Sequence, residues 1–335
     1  MIRRLDLGFV SPLRSQAIYH GLAAAMDAAT PDTIVFCAPA APYFCVGYHQ
    51  NAADVLDLAL CRRHGWPVLR RRIGGGTVYL DERQLFYQAI VHRSRAPFTV
   101  ERIYAAYLGA PVRALRGLGL DAALRAPNEI EVAGRRIAGT GGGQIGDAMV
   151  VVGNVLFEFP GERMARAWKA PSRPFRELAH AGLRSYVTTL SRELGTPPAM
   201  EALREAIAAA YVETLGEPLV PGLLTAGEVE AIETAERELA SRAFGLARER
   251  RPRAGLKIAR ETYVFEGRAA SGRVRVSLRV RHGVIDDLAV RGADPDAARR
   301  LIGRRVSVLA SAAGRPDGTN PADVVGELLA AGRSA

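Results

Sequence analysis

Residues Arg70 to Asp81 read Arg-Arg-Arg-Ile-Gly-Gly-Gly-Thr-Val-Tyr-Leu-Asp. Three arginines lead into three glycines, and a strand-like stretch follows. Glycine allows positive φ and close approach of a ligand to the backbone. Successive N–H groups in such a loop form an anion-binding concavity, and guanidinium groups bind phosphate or carboxylate through paired donors. The chemistry suggested is capture of an anion by backbone and arginine together. The plainer alternative is a glycine-rich turn with a solvated basic face. A second run, 133–147, reads Ala-Gly-Arg-Arg-Ile-Ala-Gly-Thr-Gly-Gly-Gly-Gln-Ile-Gly-Asp, again with basic residues before glycines. It is neither a P-loop nor a dinucleotide fingerprint, since no Gly-Lys-Ser/Thr occurs and no βαβ spacing surrounds it. Two such segments facing each other across a cleft suit a ligand with a phosphate and a second polar group, such as a nucleotide adduct.

The elements that must position these runs follow from periodicity. Ile18, Leu22 and Met26 fall four apart, the stripe of an amphipathic helix over 15–28. Short strands are expected at 33–37, 43–48, 67–72, 76–80, 85–92, 129–138 and 149–159, with helices at 52–65 and 101–118. Strands outnumber helices and come in adjacent runs, so an α+β fold with a mixed or antiparallel sheet is expected rather than alternating βαβ units. Further on, Thr196-Pro197-Pro198 opens a helix carrying Leu203, Ile207, Tyr211 and Leu215, with proline in the first turn. Thr225 and Glu228 have capping-box spacing for a helix over about 226–243. The charged stretch Arg248–Arg253 reads as a linker between residues 1–247 and a small α+β domain, 254–335. In that domain Val274, Val276, Leu278 and Val280 alternate with polar residues, and His282-Gly283 turns the chain into a second strand. Helices near 294–303 and 321–332 complete it.

The chain has 335 residues, 48% hydrophobic, enough for a sizeable core and two domains. No run of eighteen apolar residues suggests a membrane span, and the first residues lack a secretory signal, so a cytoplasmic setting is expected. Cys37, Cys45 and Cys61 fit neither a zinc pattern nor a disulfide framework and read as packed residues. The net charge is +10, and Lys169 and Lys257 are the only lysines among the 45 basic residues. A basic surface suits acidic partners, but no nucleic-acid motif accompanies it. The six histidines are scattered without metal spacing; His49, beside Gln50-Asn51, is a candidate to line a site, although a surface or strand-end histidine is the plainer reading. Asp81 and Asp147 follow glycine runs and offer carboxylates to magnesium, although each is also an ordinary turn residue.

Taken together and in order, these pieces resemble the lipoate–protein ligase family. Gly47-Tyr48-His49-Gln50-Asn51 is similar to that family's Gly-x-x-Gln-Asn. Arg70-Arg71 followed by Gly74-Gly75-Gly76-Thr77-Val78-Tyr79 is similar to its Arg-Arg-x-Ser/Thr-Gly-Gly-Gly-Ala-Val-Tyr/Phe. Asn128-Glu129 and Gly134–Gly139 resemble its Asn-Asp and Lys-Ile-Ser-Gly segments, and Leu183–Leu190 a later one. The resemblance implies a catalytic domain of the biotin/lipoate ligase type with a small C-terminal accessory domain. It also implies two chemical steps. Lipoate and ATP with Mg2+ give lipoyl-AMP and pyrophosphate. A lysine of a lipoyl domain (in the E2 subunit of a 2-oxoacid dehydrogenase, the glycine-cleavage H protein or a similar acceptor) then attacks the mixed anhydride. On this resemblance Arg71 and Arg136 are the catalytic candidates. Arg70, Gly74, Gly75, Gly76, Thr77, Val78, Tyr79, Gln84, Asn128, Gly139 and Thr140 are candidates for binding substrate and nucleotide. Asn128 and Asp81 are the metal candidates.

The chain departs from the family at four of these positions. Arg136 stands where the family has its signature lysine, Ile73 at a serine or threonine, Leu80 at a histidine, and Gln84 where asparagine is common. Arginine keeps the charge but practically never releases its proton. Two alternatives stay open. Related octanoyl- and lipoyl-transferases use a cysteine thioester, yet no cysteine follows Cys61 here. A non-catalytic module binding lipoyl-adenylate would keep Arg136 without turnover. Biotin–protein ligase shares the broad fold, but its Gly-Arg-Gly-Arg loop is missing.

Overall fold

A computed structural model describes residues 1–125, 127–245, 255–259, 261–268, 272, 274–306 and 325. The linker expected at 248–253 lies outside them, as does all but Val325 of the helix expected at 321–332. The chain forms two compact units. The first comprises Met1–Ala52, Leu58–Phe159 and Thr188–Arg248. The second joins Ala53–Asp57 and Pro160–Val187 to the described C-terminal residues.

In the first unit eight strands form a mixed sheet. From edge to edge they are Leu219–Pro221 (β11), Ile2–Val10 (β1), Thr33–Pro39 (β2), Gln84–His92 (β6), Ala148–Leu156 (β10), Arg135–Ile145 (β9), Glu129–Val132 (β8) and Ala122–Arg125 (β7). The first two pairings are parallel and the remainder antiparallel. A small sheet of Val68–Arg70 (β4), Tyr43–Val46 (β3) and Val78–Leu80 (β5) carries the first glycine loop between β4 and β5.

Side chains alternate across a strand, so each central strand feeds two cores. Ile34, Phe36, Tyr87 and Ala89 point to one core. There they meet helices Val100–Gly117 (α4) and Met200–Leu215 (α8) through Ile103, Leu108, Ile207 and Tyr211. Val35, Cys37, Phe86 and Ile90 point to the other. That side is covered by Pro12–Ala24 (α1), Ala226–Ala240 (α9) and the small sheet. The capping box at Thr225 and Glu228 forms as expected. Helices α1 and α9 cross closely at Gly21, where an added Cβ would lie 2.5 Å from Ile232 Cα. In an open helix, glycine to alanine stabilises by about 1 kcal/mol. Here the clash reverses the sign, and Gly21→Ala is expected to lower unfolding stability by about 2 kcal/mol, read as an earlier urea midpoint.

Three expectations are corrected. Pro197 and Pro198 precede the N-cap Ala199 and so stand before α8 rather than in its first turn. The helix expected over 52–65 is two short pieces, Ala52–Val55 (α2) and Leu58–Arg63 (α3). Between them the chain turns extended, with Leu56 bridging Trp168 and the Asp57 N–H donating to Ala167 O at 2.8 Å. The second glycine run is no loop, because Gly139 to Gly143 lie inside β9.

The second unit holds Gly161–Ala167 (α5) and Arg173–Tyr186 (α6), the latter not expected from sequence. It also holds a four-stranded antiparallel sheet of Leu256–Ala259 (β12), Thr262–Arg268 (β13), Arg275–Arg281 (β14) and Val284–Arg291 (β15). The expected hairpin is β14–β15. Helix α6 packs against this sheet. Gly182 is close to Ile258 and Arg279, Arg279 donates to Leu178 O at 3.2 Å, and Tyr186 donates to Asp286 at 2.5 Å. Short helices Leu190–Leu194 (α7) and Arg242–Gly245 (α10) belong to the first unit, and Pro295–Arg299 (α11) to the second.

Candidate active site

The first glycine loop is held from within by its own arginines. Arg71 is 9% exposed. Its Nε and Nη2 donate to Gly74 O (3.2 and 2.8 Å), Nη2 also to Gly76 O (2.8 Å), and Nη1 to Cys45 O (3.1 Å). One planar fork thus ties both ends of the triple glycine to β3. Arg70, 3% exposed, donates from Nη1 to the carbonyls of Gly47, Tyr48 and Gln50, and from Nε to Phe244 O. The described hydrogen bonds of both arginines therefore end on backbone oxygens. Gly75 takes φ +97°. Gly47 lies so close beneath the loop that a Cβ there would come 2.1 Å from Gly75 O. The Gly-x-x-Gln spacing also has a physical account. Gln50 Oε1 accepts from the Gly47 N–H at 3.1 Å and from Thr77 Oγ1 at 2.9 Å, joining the two sides of the loop.

The two glycine-rich segments meet. Alternate residues of β9 face opposite ways. On one face a Cβ at Gly141 would lie 3.0 Å from Ile73 Cδ1, and one at Gly143 would lie 3.7 Å from Ile73 Cγ2. On the other face a Cβ at Gly142 would lie 3.1 Å from the Tyr104 hydroxyl of α4. Glycine in a strand interior is locally unfavourable but lets neighbouring groups approach the bare backbone. The run exists because Ile73 and Tyr104 occupy the space its side chains would fill.

At the start of β9 the Arg136 guanidinium pairs with the buried Glu129 carboxylate, and the Arg136 carbonyl accepts from the Thr188 N–H at 2.8 Å. Burial pulls the Arg136 guanidinium down to about 10. At that value the group is charged at neutral pH. Thr140 Oγ1 donates to Asn128 O, and Asn128 also hydrogen-bonds the Tyr104 hydroxyl. Gln84 is fully buried, accepting from Asn154 Nδ2 at 2.6 Å, and Asn154 lies against Gly139. Val78 is half-buried, and Tyr79 is buried edge-on to Phe44.

The residues singled out from sequence thus fall on one connected region of the first unit. Glu129, read from sequence only as part of the Asn128-Glu129 segment, joins them, as do Tyr104 and Asn154, which carried no signal of their own. Asn154 is reachable only through its register opposite Gly139. His49 is exposed beside Tyr48.

The metal candidates do not form a cage. Among the described residues no three His, Cys, Asp or Glu side chains cluster. Asp81 is buried, accepts from the Arg83 N–H and from Gln84, and is held above the usual carboxylate range by that burial. Asp147 pairs with Arg93 at the surface. All three cysteines are buried. Burial pushes the Cys45 thiol up and that of Cys37 to about 12. No described helix is long and apolar enough to cross a membrane.

Known proteins are similar to this chain. The family model for the lipoyl protein ligase A/B catalytic domain matches residues 11–212. The octanoyltransferase LipM of Kyrpidia tusciae is 27% identical over 216 residues, 57% of this chain and 78% of that protein. LipM of Symbiobacterium thermophilum is 26% identical over 255 residues, 69% of this chain and 93% of that one. A solved bipartite lipoate protein ligase from Thermoplasma acidophilum, described with its E2 lipoyl domain, shares the fold. Its TM-score is 0.68 at 21% identity, covering 74% of this chain and 98% of that one. The matched span exceeds half of the sequence, and the chain belongs to the lipoyl protein ligase A/B catalytic-domain family.

Proposed function

We propose that this protein activates lipoate, or a related medium-chain acid, with ATP and passes the acyl group to a lysine of a lipoyl domain. The observation that carries this reading is the fate of the thiols. A transferase working through its own thioester needs an accessible, ionisable cysteine. Here every cysteine is buried. Without a covalent carrier on the protein, this reading keeps the activated acyl group non-covalently bound, as an acyl-adenylate.

In the first step a carboxylate oxygen attacks the α-phosphorus of ATP and pyrophosphate leaves. Two anions approach each other, so fixed positive charge and oriented donors lower the barrier. Arg136 supplies charge, and Glu129 fixes where that charge sits. The loop from Arg71 to Tyr79, held rigid by its internal fork, offers backbone close to Ile73 and β9. Gly139, Thr140 and Asn128 bound the region on the strand side. In the second step the acceptor amine attacks the acyl carbon and AMP leaves.

A second reading is favoured by the LipM relatives: transfer of an octanoyl group from a pre-activated donor. One experiment separates the two. Lipoate-dependent exchange of labelled pyrophosphate into ATP is expected, unaffected by iodoacetamide, with mass spectrometry then finding the acyl group on an added lipoyl domain. Absence of exchange, together with iodoacetamide-sensitive transfer from an octanoyl carrier, would establish the second reading instead.

A further inference from the structure

His20 lies on α1 and is 3% exposed. Its ring stacks on Tyr19 with centroids 4.1 Å apart. Nδ1 lies 2.6 Å from Gln16 O, and Nε2 lies 3.1 Å from the backbone nitrogen of Arg72. A carbonyl accepts and an amide N–H donates, so the two contacts specify one neutral tautomer, with the proton on Nδ1 and the lone pair on Nε2. Arg72 joins the residue whose guanidinium clamps the triple glycine, Arg71, to the residue that lies over β9, Ile73. The peptide N–H that His20 holds is therefore the pivot between clamp and contact. Ile73 O accepts from the Tyr48 N–H at 3.1 Å, so the segment is fixed on both sides of that pivot.

We infer that His20 is a positioning residue of the site: it sets the direction of the Arg71–Arg72 peptide and, through it, the placement of the glycine loop over β9. This rests on the activity proposed above. A proton on Nε2 would set two N–H groups against each other. Burial, with the nearby guanidiniums of Arg72 and Arg71, pulls the ring down to about 3 and keeps it neutral. Imidazole is used here as a fixed acceptor, not as a general base.

Two polar substitutions separate the two contacts. In His20→Gln the terminal amide oxygen reaches about as far as Nε2 and restores the acceptor for Arg72. In His20→Asn the shorter amide matches Nδ1, keeps the donor to Gln16 O and loses Arg72. Exchange of the Arg72 amide, followed by residue-resolved NMR on the full chain, is expected to be about tenfold faster in His20→Asn and near wild-type in His20→Gln. In pyrophosphate exchange the Asn variant is expected to show a raised KM for ATP and lipoate with kcat nearly unchanged, and the Gln variant to recover. Equal amide exchange in the two variants, or a faster Arg72 amide with unchanged KM, would overturn the assignment. The amide readout needs no turnover, so a wild-type chain without pyrophosphate exchange would sink the proposed activity and not the anchoring of the loop.

Discussion

Arg71→Ala is expected to lower lipoate-dependent pyrophosphate exchange by at least about 100-fold, through collapse of the loop geometry rather than loss of a direct substrate contact. The fork of Arg71 satisfies the carbonyls of Cys45, Gly74 and Gly76. A buried acceptor left without a donor costs about 1–3 kcal/mol. Cys45 O is buried and the carbonyls of Gly74 and Gly76 are partly so; without the fork the native loop becomes one of several accessible arrangements, and a misplacement of about 1 Å is enough for a 100-fold loss. Arg71→Lys is not expected to rescue, since an ammonium group cannot reach carbonyls on both sides as a planar fork does. Exchange in purified Arg71→Ala at the wild-type rate would refute this role. Rescue by lysine would show that charge, and not the fork, is what matters.

Glu129→Ala is expected to destabilise the first unit by about 3 kcal/mol, because it strips the partner from a largely buried guanidinium. The urea midpoint measures this. Arg136→Lys keeps a cation beside Glu129 and brings back the family residue, so exchange activity is expected to hold or rise. A large loss in that variant would show that the pocket has been rebuilt around the wider guanidinium. The pair Arg136→Ala/Glu129→Ala should be less destabilised than the sum of its single changes, since the coupling between the two charges is lost only once.

Much of this was legible because local chemistry decided it. The alternation at Val274–Val280 and the capping spacing at Thr225 and Glu228 each specify structure within a few residues. The triple glycine and Gly-x-x-Gln were legible for the same reason. What was hidden depends on distant partners. Gly139–Gly143 read as a loop because glycine disfavours strands; only the arrival of Ile73 and Tyr104 explains it. The break near Leu56 depends on a bridge to Trp168, more than a hundred residues away. The arginines were expected to face an anion, and spacing cannot reveal that Arg70 and Arg71 are buried and turned onto backbone oxygens. Helix α6 escaped notice because Pro171 and Pro174 flank its start.

The alliance of α6 with the C-terminal sheet has a consequence for dissecting the protein. Residues 160–187 fall inside the span matched by the family model, yet their packing partners are Ile258, Arg279 and Asp286. A truncation that stops near residue 245 would strip α6 of its apolar cover and leave Leu178, Gly182 and Tyr186 facing water. Such a fragment would be prone to self-association for reasons unrelated to its chemistry. The halves of this polypeptide are interleaved along the chain, so no single cut yields two intact pieces.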